Sequence, residues 1–378
     1  MRRTAFVTFV WLAVAAIAAA DFPEPFDSEK DSSARPVPAA EAAAAFSATG
    51  GLRVDVFAAE PLVRNPIAMA WDPRGRLWIA ENFTYAERPV KLDDRLRDRV
   101  VVFPDAANGR PGERRVFLDG LRQLTSVEVG LGGVWLLCPP QLLFVPDADG
   151  DTVADGPARI VLDGFDATTE NHHNFANGLR FGPDGWLYGR CGTSCPGAVG
   201  RPGTPAADRV PLAGGIWRFS PRTGRFETLC HGTTNPWGHD WNAWGDGFFT
   251  NTVNGHLWQI IPGAHYVRPL SIDPNPHVYE CIDMHADHWH FDVAGGWKNS
   301  RDGRAADFGG GHAHSGALIS LGSDWPEEYR GDLFTWNFHG RRLNRERLER
   351  HGSGYVARHR PDMLLAADTG RADHFLQL

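Results

Sequence analysis

One unit recurs along this chain and restricts its possible folds more than any other feature: an apolar strand, a tight turn and an aromatic-rich strand. The turns are built on Asp, Gly, Pro or Asn, which supply the preset φ of proline and the positive φ of glycine that hairpins need. The copies lie at 65–81, 125–138, 177–190, 235–250 and 315–338, and the third reads NGLRFGPDGWLYGR.

The spacing of the copies is about 50 to 80 residues, which is typical of a propeller built from one β-meander per blade. We therefore predict an all-β fold of the β-propeller type, and a β-sandwich with chance similarity between its hairpins is the alternative. Five units are recognisable before the chain stops at HFLQL (374–378). A propeller needs its last blade to close the ring and to cover exposed strand edges. Since no sixth hairpin follows in the sequence, we expect that blade to be missing or incomplete.

The N-terminal residues predict export. Two arginines precede an apolar run that ends at Ala18–Ala20, an arrangement typical of a secretory signal peptide over residues 1–20. The run is about the minimum length for a membrane span, so an uncleaved anchor is the alternative.

Residues 21–48, rich in Pro, Ala and Ser, indicate a flexible linker with a helical turn in its Ala run. The propeller is expected over 49–378, in the periplasm or associated with a membrane.

Composition and absent motifs exclude several classes of function. The chain has 38 basic and 46 acidic residues, a net charge of −8. It lacks the basic stripe of a nucleic-acid-binding protein. No Gly-rich fingerprint follows a strand and opens a helix, which argues against a nicotinamide cofactor. Gly-x-Ser-x-Gly and Cys-x-x-Cys-His are also missing, which argues against a serine hydrolase and against haem attached to this chain.

An acidic segment, PDADGDTVAD (146–155), has the spacing of a calcium loop. Asp147, Asp149, Asp151 and Asp155 can place several carboxylate oxygens around a hard cation, and the intervening glycine permits the turn. The spacing departs from the EF-hand pattern and is closer to the DxDGDxxxD loops of other calcium proteins. We expect calcium in a structural role, and a solvated acidic hairpin turn is the alternative.

The histidines are distributed unevenly. All 16 lie beyond residue 171, and they cluster at HH (172–173), MHADHWHFD (284–292) and GGGHAHSG (309–316). In an extended strand, His288, His290 and Asp292 project to one face, as do His312 and His314. A His-x-His pair on a strand can give a metal two imidazoles. These residues therefore indicate either a transition-metal site or a polar catalytic or substrate-binding face.

Six longer segments carry a resemblance to a known family: GLRVDVFAAEPLVRNPIAMAWDPRGRLWIAE, PDADGDTVADGPARIVLDGF, NHHNFANGLRFGPDGWLYG, TNPWGHDWNAWGDGFFTNTVNGHLWQIIPGAHY, GGGHAHSGALISLG and LFTWNFHGRRLNRERLERHGSGY. With these segments the chain resembles, from about residue 50 to its end, the membrane-bound dehydrogenase-like proteins of planctomycete-type bacteria. That family is similar to the soluble glucose and sorbosone dehydrogenases, six-bladed propellers that bind pyrroloquinoline quinone and calcium. The resemblance therefore implies a six-bladed propeller here.

The resemblance implies roles for particular residues. A histidine before the Gly-x-Leu strand would be the general base, which is His173 here, with the adjacent His172 as second candidate. Asn235 matches a cofactor-contacting asparagine, and His239 would lie on the cofactor or the substrate. The family's arginine before that asparagine is Thr234 in this chain.

Further expectations concern the substrate and the remaining cofactor elements. We expect His314 and Trp237 to bind the substrate, since loops from all blades of a propeller surround one axial funnel. The calcium-binding segment of the soluble enzymes is replaced by TNTVNGHLWQ (250–259). A sugar or polyol would be oxidised, and the electrons would pass to a c-type cytochrome domain or partner.

Two other functions stay open at this point. A non-catalytic, calcium-stabilised carbohydrate-binding propeller is favoured by the changes at Thr234 and 250–259. A metal-dependent hydrolase or lyase would use the histidine cluster.

Overall fold

Strands dominate the described part of this protein. The computed structural model describes residues 37–86, 90–168, 172–253, 255–268, 272–290 and 313–366. Within these ranges no helix has the length and apolar character needed to cross a membrane. The Ala-rich run forms α1, Ala39–Ala44, and β1, Phe46–Ala48, follows it. Short 3-10 helices lie at Ala106–Asn108, His172–Asn174, Ala206–Asp208 and Glu327–Tyr329.

The remaining strands form antiparallel sheets, here called blades 1 to 5 in chain order, and the first strand of each is its inner strand. Blade 1 contains β2 Pro66–Trp71, β3 Leu77–Glu81, β4 Asp98–Phe103 and β5 Arg115–Leu121. Blade 2 contains β6 Ser126–Val129, β7 Gly133–Cys138, β8 Gln141–Pro146 and β9 Arg159–Asp163. Blade 3 contains β10 Asn177–Phe181, β11 Leu187–Cys191, β14 Gly215–Phe219 and β15 Phe226–Cys230, with an added hairpin of β12 Gly197–Val199 and β13 Val210–Leu212.

Blades 4 and 5 complete the described sheets. Blade 4 contains β16 Pro236–Trp241, β17 Gly247–Asn251 and β18 Leu257–Gln259. Blade 5 contains β19 His314–Ile319, β20 Asp332–Asn337, β21 Arg342–His351 and β22 Gly354–Ala366. Each recurring hairpin of the sequence forms the first two strands of one blade, so the predicted all-β propeller architecture is confirmed.

The same turn recurs in blades 1, 3 and 4. Asp72, Gly182 and Asn242 each donate their backbone N–H to the carbonyl four residues ahead, at 2.9–3.1 Å. The carbonyl oxygens of Asp72, Gly182 and Asn242 themselves accept the N–H of the glycine three residues on, and these glycines have φ between 74° and 83°. Only glycine adopts such a φ without steric cost, which is why a glycine recurs at this point of the hairpin.

Apolar clusters fill the spaces between successive blades. Trp78 of blade 1 packs with Val127 and Leu136 of blade 2. Trp217 of blade 3 packs against blade 2 side chains, and it is fully buried. Phe248 of blade 4 lies in one cluster with blade 5 residues. Of the hairpin tryptophans, Trp78, Trp135 and Trp241 are buried, whereas Trp71 and Trp244 are 54% and 80% exposed.

Blade 5 receives its outer strand from the N-terminal side of the chain. β1 pairs antiparallel with β22, with Phe46 opposite Ala366 and Ala48 opposite Leu364. The sheet therefore includes three residues that the sequence interpretation assigns to the linker. The C-terminal residues 367–378, on which the expectation of an incomplete last blade rests, lie outside the described residues, as do residues 1–36.

A prediction follows from the contact between the inner strands of blades 4 and 5. A Cβ on Gly238 would lie 2.3 Å from the carbonyl carbon of Gly316 and 2.5 Å from the backbone nitrogen of Ala317. Gly238→Ala must therefore separate the two blades, and we expect it to lower the free energy of unfolding by about 3 kcal/mol. Gly322→Ala is the matched control, because the nearest atom to its Cβ would be 4.0 Å away. Equal midpoints of the two variants in denaturant unfolding would contradict the contact.

Candidate functional site

Hydrogen bonds between neighbouring blades connect the loops at one end of the sheets, here called the rim. The rim consists of the loops that precede the inner strands and those that follow the second strands of the blades. The hydrogen bonds that cross from blade to blade there include Asn82 Nδ2 to Leu124 O at 2.7 Å, Thr125 Oγ1 to Ala176 O at 2.6 Å, Thr193 N to Thr234 O at 3.0 Å and Ala313 N to Thr252 O at 2.6 Å. The rim therefore brings onto one face the loops that carry His173, Asn235 and His314.

His173 lies exposed on the rim and contacts blade 1. Its Nδ1 is 2.5 Å from the hydroxyl oxygen of Tyr85, which belongs to the loop after β3. The two rings are in edge-on contact, with centroids 5.9 Å apart. This contact orients the imidazole, because one ring nitrogen is committed to the phenol. The side chain of His172, the second candidate base, lies outside the described part of the structure.

Asn235 is held by its neighbours at the start of β16. Its backbone N–H and that of Thr234 donate to Oδ1 of Asn251, at 2.6 and 3.2 Å. Its side-chain oxygen accepts a hydrogen bond of 2.9 Å from Nε1 of Trp237. The residues predicted to bind cofactor and substrate, Asn235 and Trp237, are thus in direct contact.

His239 lies deeper, between blades 3 and 4. It is 3% exposed, and neither ring nitrogen has a hydrogen-bond partner among the described residues. Burial, and then the charges of Arg190 and Arg180, hold its pKa well below the ordinary value. The imidazole is therefore neutral.

Arg190, beside His239, is a buried cation that the sequence interpretation does not single out. It is 4% exposed, and its guanidinium lies over the backbone of Gly178 in β10. Its Nε donates to Asn177 Oδ1 at 3.0 Å, and no carboxylate of the described residues pairs with it. Burial lowers the pKa of Arg190 to about 9. Because guanidinium stays protonated in proteins, the lowered pKa expresses the cost of burying this charge without an anion.

His314 belongs to a second group of polar residues, between blades 4 and 5. Its ring centroid is 5.2 Å from that of His256 and 5.8 Å from that of His290. His256, His288, His290 and Glu346 are each 0–4% exposed and offer ligand atoms that lie within 4.8 Å of one another. We call these four residues the His/Glu cluster. Burial is the largest influence on His290 and lowers its pKa to about 3, so its imidazole is neutral.

The histidine pattern of the sequence is only partly represented in this cluster. His288 and His290 lie together as the strand pattern predicts, whereas Asp292 and His312 lie outside the described residues. Sequence reasoning missed two members, the isolated His256 and Glu346. Neither residue has a local pattern that could have identified it, since Glu346 is one of several charged residues in β21.

The acidic segment lies at the other end of the sheets. It connects β8 to β9, beside the β2–β3 turn, whose Arg74 donates to the carbonyl of Asp149 at 2.9 Å. Carboxylate oxygens of Asp147, Asp149 and Asp151 lie within 4.8 Å of one another. Asp155 instead accepts the backbone N–H of Ala148 at 2.6 Å. The structure thus brings three of the four predicted calcium ligands together, far in the fold from the rim.

Solved structures share this architecture. The PQQ-bound form of aldose sugar dehydrogenase from Streptomyces coelicolor is 16% identical, with a TM-score of 0.54 over 88% of this chain and 87% of that one. An oxidoreductase (glucose dehydrogenase) from Thermus thermophilus is 18% identical, with a TM-score of 0.52 over 83% and 87%. The holo pyranose dehydrogenase PQQ domain from Coprinopsis cinerea is 14% identical, with a TM-score of 0.52 over 90% and 91%. This chain therefore shares the β-propeller fold of these three proteins.

The family is defined by a sequence match. Residues 38–369 match the family model described as "Domain of unknown function (DUF7133)", so this chain belongs to that family. No curated protein sequence matches the chain significantly.

The contacts of Asn251 lead to a prediction about the rim. Asn251→Ala removes the acceptor for the backbone N–H groups of Thr234 and Asn235. We expect it to lower the free energy of unfolding by about 2 kcal/mol, because it leaves two part-buried backbone N–H groups without this acceptor. Asn251→Asp keeps the acceptor oxygen but loses the amide that donates to Val253 O, so it should recover only part of the loss in chemical denaturation. If alanine and aspartate destabilised the protein equally, this side chain would not position Asn235 by accepting hydrogen bonds.

Proposed function

We propose that this protein is a dehydrogenase that oxidises a hydroxyl group of a sugar or polyol, with pyrroloquinoline quinone bound at the rim. The observation that carries the proposal is Arg190, a buried guanidinium with no carboxylate partner among the described residues. A buried charge of this kind is normally paired. An anionic ligand is the partner that this position lacks.

The residues near Arg190 fit a quinone that carries carboxylates and carbonyl oxygens. The guanidinium can bind a carboxylate through two parallel hydrogen bonds. His239 offers unpaired ring nitrogens, and Asn235 lies at the rim above it. Arg190 supplies a cation in a chain that has Thr234 where the soluble enzymes have arginine. Arg190, His239 and Asn235 would hold the cofactor, which accepts a hydride when it is bound.

His173 would take the proton of the substrate hydroxyl. With Nδ1–H donating to the Tyr85 oxygen, the lone pair lies on Nε2, and that atom accepts the proton. We propose this tautomer, in which Tyr85 accepts from Nδ1 and Nε2 acts as the base. Trp237 has an indole ring against which a sugar ring could stack, and His314 lies across the rim on blade 5.

The location of the protein and its electron acceptor are also part of the proposed function. We propose that residues 1–20 direct export, that the propeller works in the periplasm or at a membrane, and that a c-type cytochrome domain or partner accepts the electrons. The apolar run before Ala18–Ala20 supports export, and electrons from a reduced quinone require an acceptor.

The test separates cofactor binding from turnover. The full chain would be loaded with calcium and pyrroloquinoline quinone and assayed with a redox dye over a panel of sugars and polyols. We expect Arg190→Leu to weaken quinone binding by roughly 10- to 100-fold, the value of a charge-assisted hydrogen bond. His173→Ala should lower kcat by about 10²- to 10⁴-fold and leave quinone binding nearly unchanged.

Exposed residues provide matched controls. Arg222→Leu and His277→Ala remove the same charge and the same ring from exposed positions and should behave like the wild type. Sugar binding without turnover by the loaded protein would support a non-catalytic binding propeller instead. Full quinone affinity in Arg190→Leu would remove this residue from the site.

We also propose that calcium binds the acidic segment and stabilises blade 2. Burial, together with the neighbouring charge of Asp151, raises the pKa of Asp147, and a cation would relieve this crowding of carboxylates. Added calcium should raise the Tm of the wild type and should have little effect on Asp149→Ala. Asp208→Asn, which changes an exposed acidic residue elsewhere, should keep the wild-type response. An unchanged Tm of the wild type in calcium would exclude this site.

A further inference from the structure

Three parts of the fold contribute to the His/Glu cluster. His256 precedes β18 of blade 4, His288 and His290 lie in the connection from blade 4 to blade 5, and Glu346 lies in β21 of blade 5. The cluster is thus in the interface between two blades, and Ala286 and Phe248 belong to the apolar cluster of the same interface. A cation at this position would link the two blades.

The donor atoms converge on one point. Nε2 of His256, His288 and His290 lie 3.3, 3.1 and 3.2 Å from Oε1 of Glu346, and the Nε2 atoms of His288 and His290 are 3.2 Å apart. Around a tetrahedral metal with bonds of about 2.0–2.1 Å, donor atoms are about 3.3–3.4 Å apart. The four residues therefore have the spacing of a metal-ligand set.

Hydrogen bonds alone account poorly for this arrangement. His256 Nε2 lies 3.3 Å from Glu346 Oε1, but it has no hydrogen-bond partner among the described residues. Glu346 Oε2 is buried and also lacks a partner there. A buried carboxylate normally has its acceptor positions filled. A metal ion in contact with both residues would satisfy them.

A neighbouring carboxylate orients one of the ligands. Nδ1 of His288 is 2.9 Å from Oδ1 of Asp287, and the other oxygen of Asp287 is 2.5 Å from Nη1 of Arg358. Metal-binding histidines commonly donate their second ring nitrogen to a carboxylate, which leaves the lone pair on the metal-facing nitrogen. Asp287 is therefore a positioning residue for His288.

We propose that His256, His288, His290 and Glu346 bind one divalent first-row transition metal ion, with zinc as the expected ion, that links blade 4 to blade 5. Three imidazoles and one carboxylate suit such an ion, whereas calcium takes oxygen ligands. The four protein ligands fill a tetrahedron and all are buried, which is the arrangement of a structural zinc site. The ion stabilises the blade interface and is separate from the oxidation of substrate.

The first experiment uses the wild-type chain, so it does not depend on variants that fold. Metal content is measured by mass spectrometry, and the metal is then removed by dialysis against a chelator. Titration of the metal-free protein with Co²⁺ should produce the visible absorption of a tetrahedral complex, saturating at one ion per chain. Zn²⁺ should displace Co²⁺ and raise the Tm. Absence of both the Co²⁺ spectrum and the Zn²⁺ effect on the Tm would overturn the proposal.

Variants locate the ion. Glu346→Gln should lower Co²⁺ affinity at least tenfold, and Asp287→Asn should lower it by about 10- to 100-fold through loss of ligand orientation. His351→Gln changes an exposed histidine at the end of the same strand as Glu346 and should bind as the wild type does. Asp149→Ala, in the acidic segment, should keep the Zn²⁺ response. Wild-type affinity and stoichiometry in Glu346→Gln would place the ion elsewhere and overturn the assignment.

Discussion

The blades of this protein are stable only against one another. Every residue of β3, β4, β7, β11 and β17 is buried, and a strand can be buried throughout only if both faces of its sheet are covered. The hydrophobic effect therefore favours stacking each blade between neighbours, and an isolated blade would expose two apolar faces. The positions of the rim and of both polar clusters depend on this packing.

Hydrogen bonds to polar side chains at the ends of the strands hold the rim loops in position. Asp98 accepts hydrogen bonds from Phe83 N, Thr84 N and Leu124 N at 2.7–2.8 Å, which connects blade 1 to the start of blade 2. Burial raises the pKa of this carboxyl group, so its hydrogen bonds are made at a cost in desolvation. In blade 4, Asn251 at the end of β17 also accepts backbone N–H groups, those of Thr234 and Asn235 before β16. The rim loops are thereby anchored although most of them lack regular secondary structure.

The buried polar groups differ in the kind of ligand that would pair with them. The His/Glu cluster has three imidazoles and one carboxylate around a common point, which suits a transition-metal cation. Arg190 has the opposite requirement, because it is a buried cation without an acid partner among the described residues. The acidic segment between β8 and β9 offers only oxygen atoms and lies away from both. These three groups of residues thus lie in different blades, and the ligands that we propose for them differ in charge and in preferred donor atoms.

Much of the local structure could be predicted from the sequence. The recurring hairpins, the glycine in their turns, the helical turn of the Ala run and the acidic loop all depend on residues a few positions apart, and such contacts are encoded by spacing and turn chemistry. The pairing of β1 with β22 could not be predicted this way, because it joins residues more than three hundred positions apart. Composition alone therefore assigns residues 46–48 to the linker, whereas the fold uses them as a strand.

Some candidate-site residues are likewise indicated by the sequence, whereas their contacts are seen only in the fold. From the sequence, the family resemblance singled out His173 before the third hairpin and Asn235 before the fourth as candidates, and the His-x-His spacing singled out His288 and His290. Only the tertiary structure brought His256 and Glu346 to that pair, put Tyr85 against His173, and left Arg190 buried without an acid among the described residues. These relations depend on which faces of which blades meet. That is decided by the packing of whole sheets, and no short stretch of sequence specifies it.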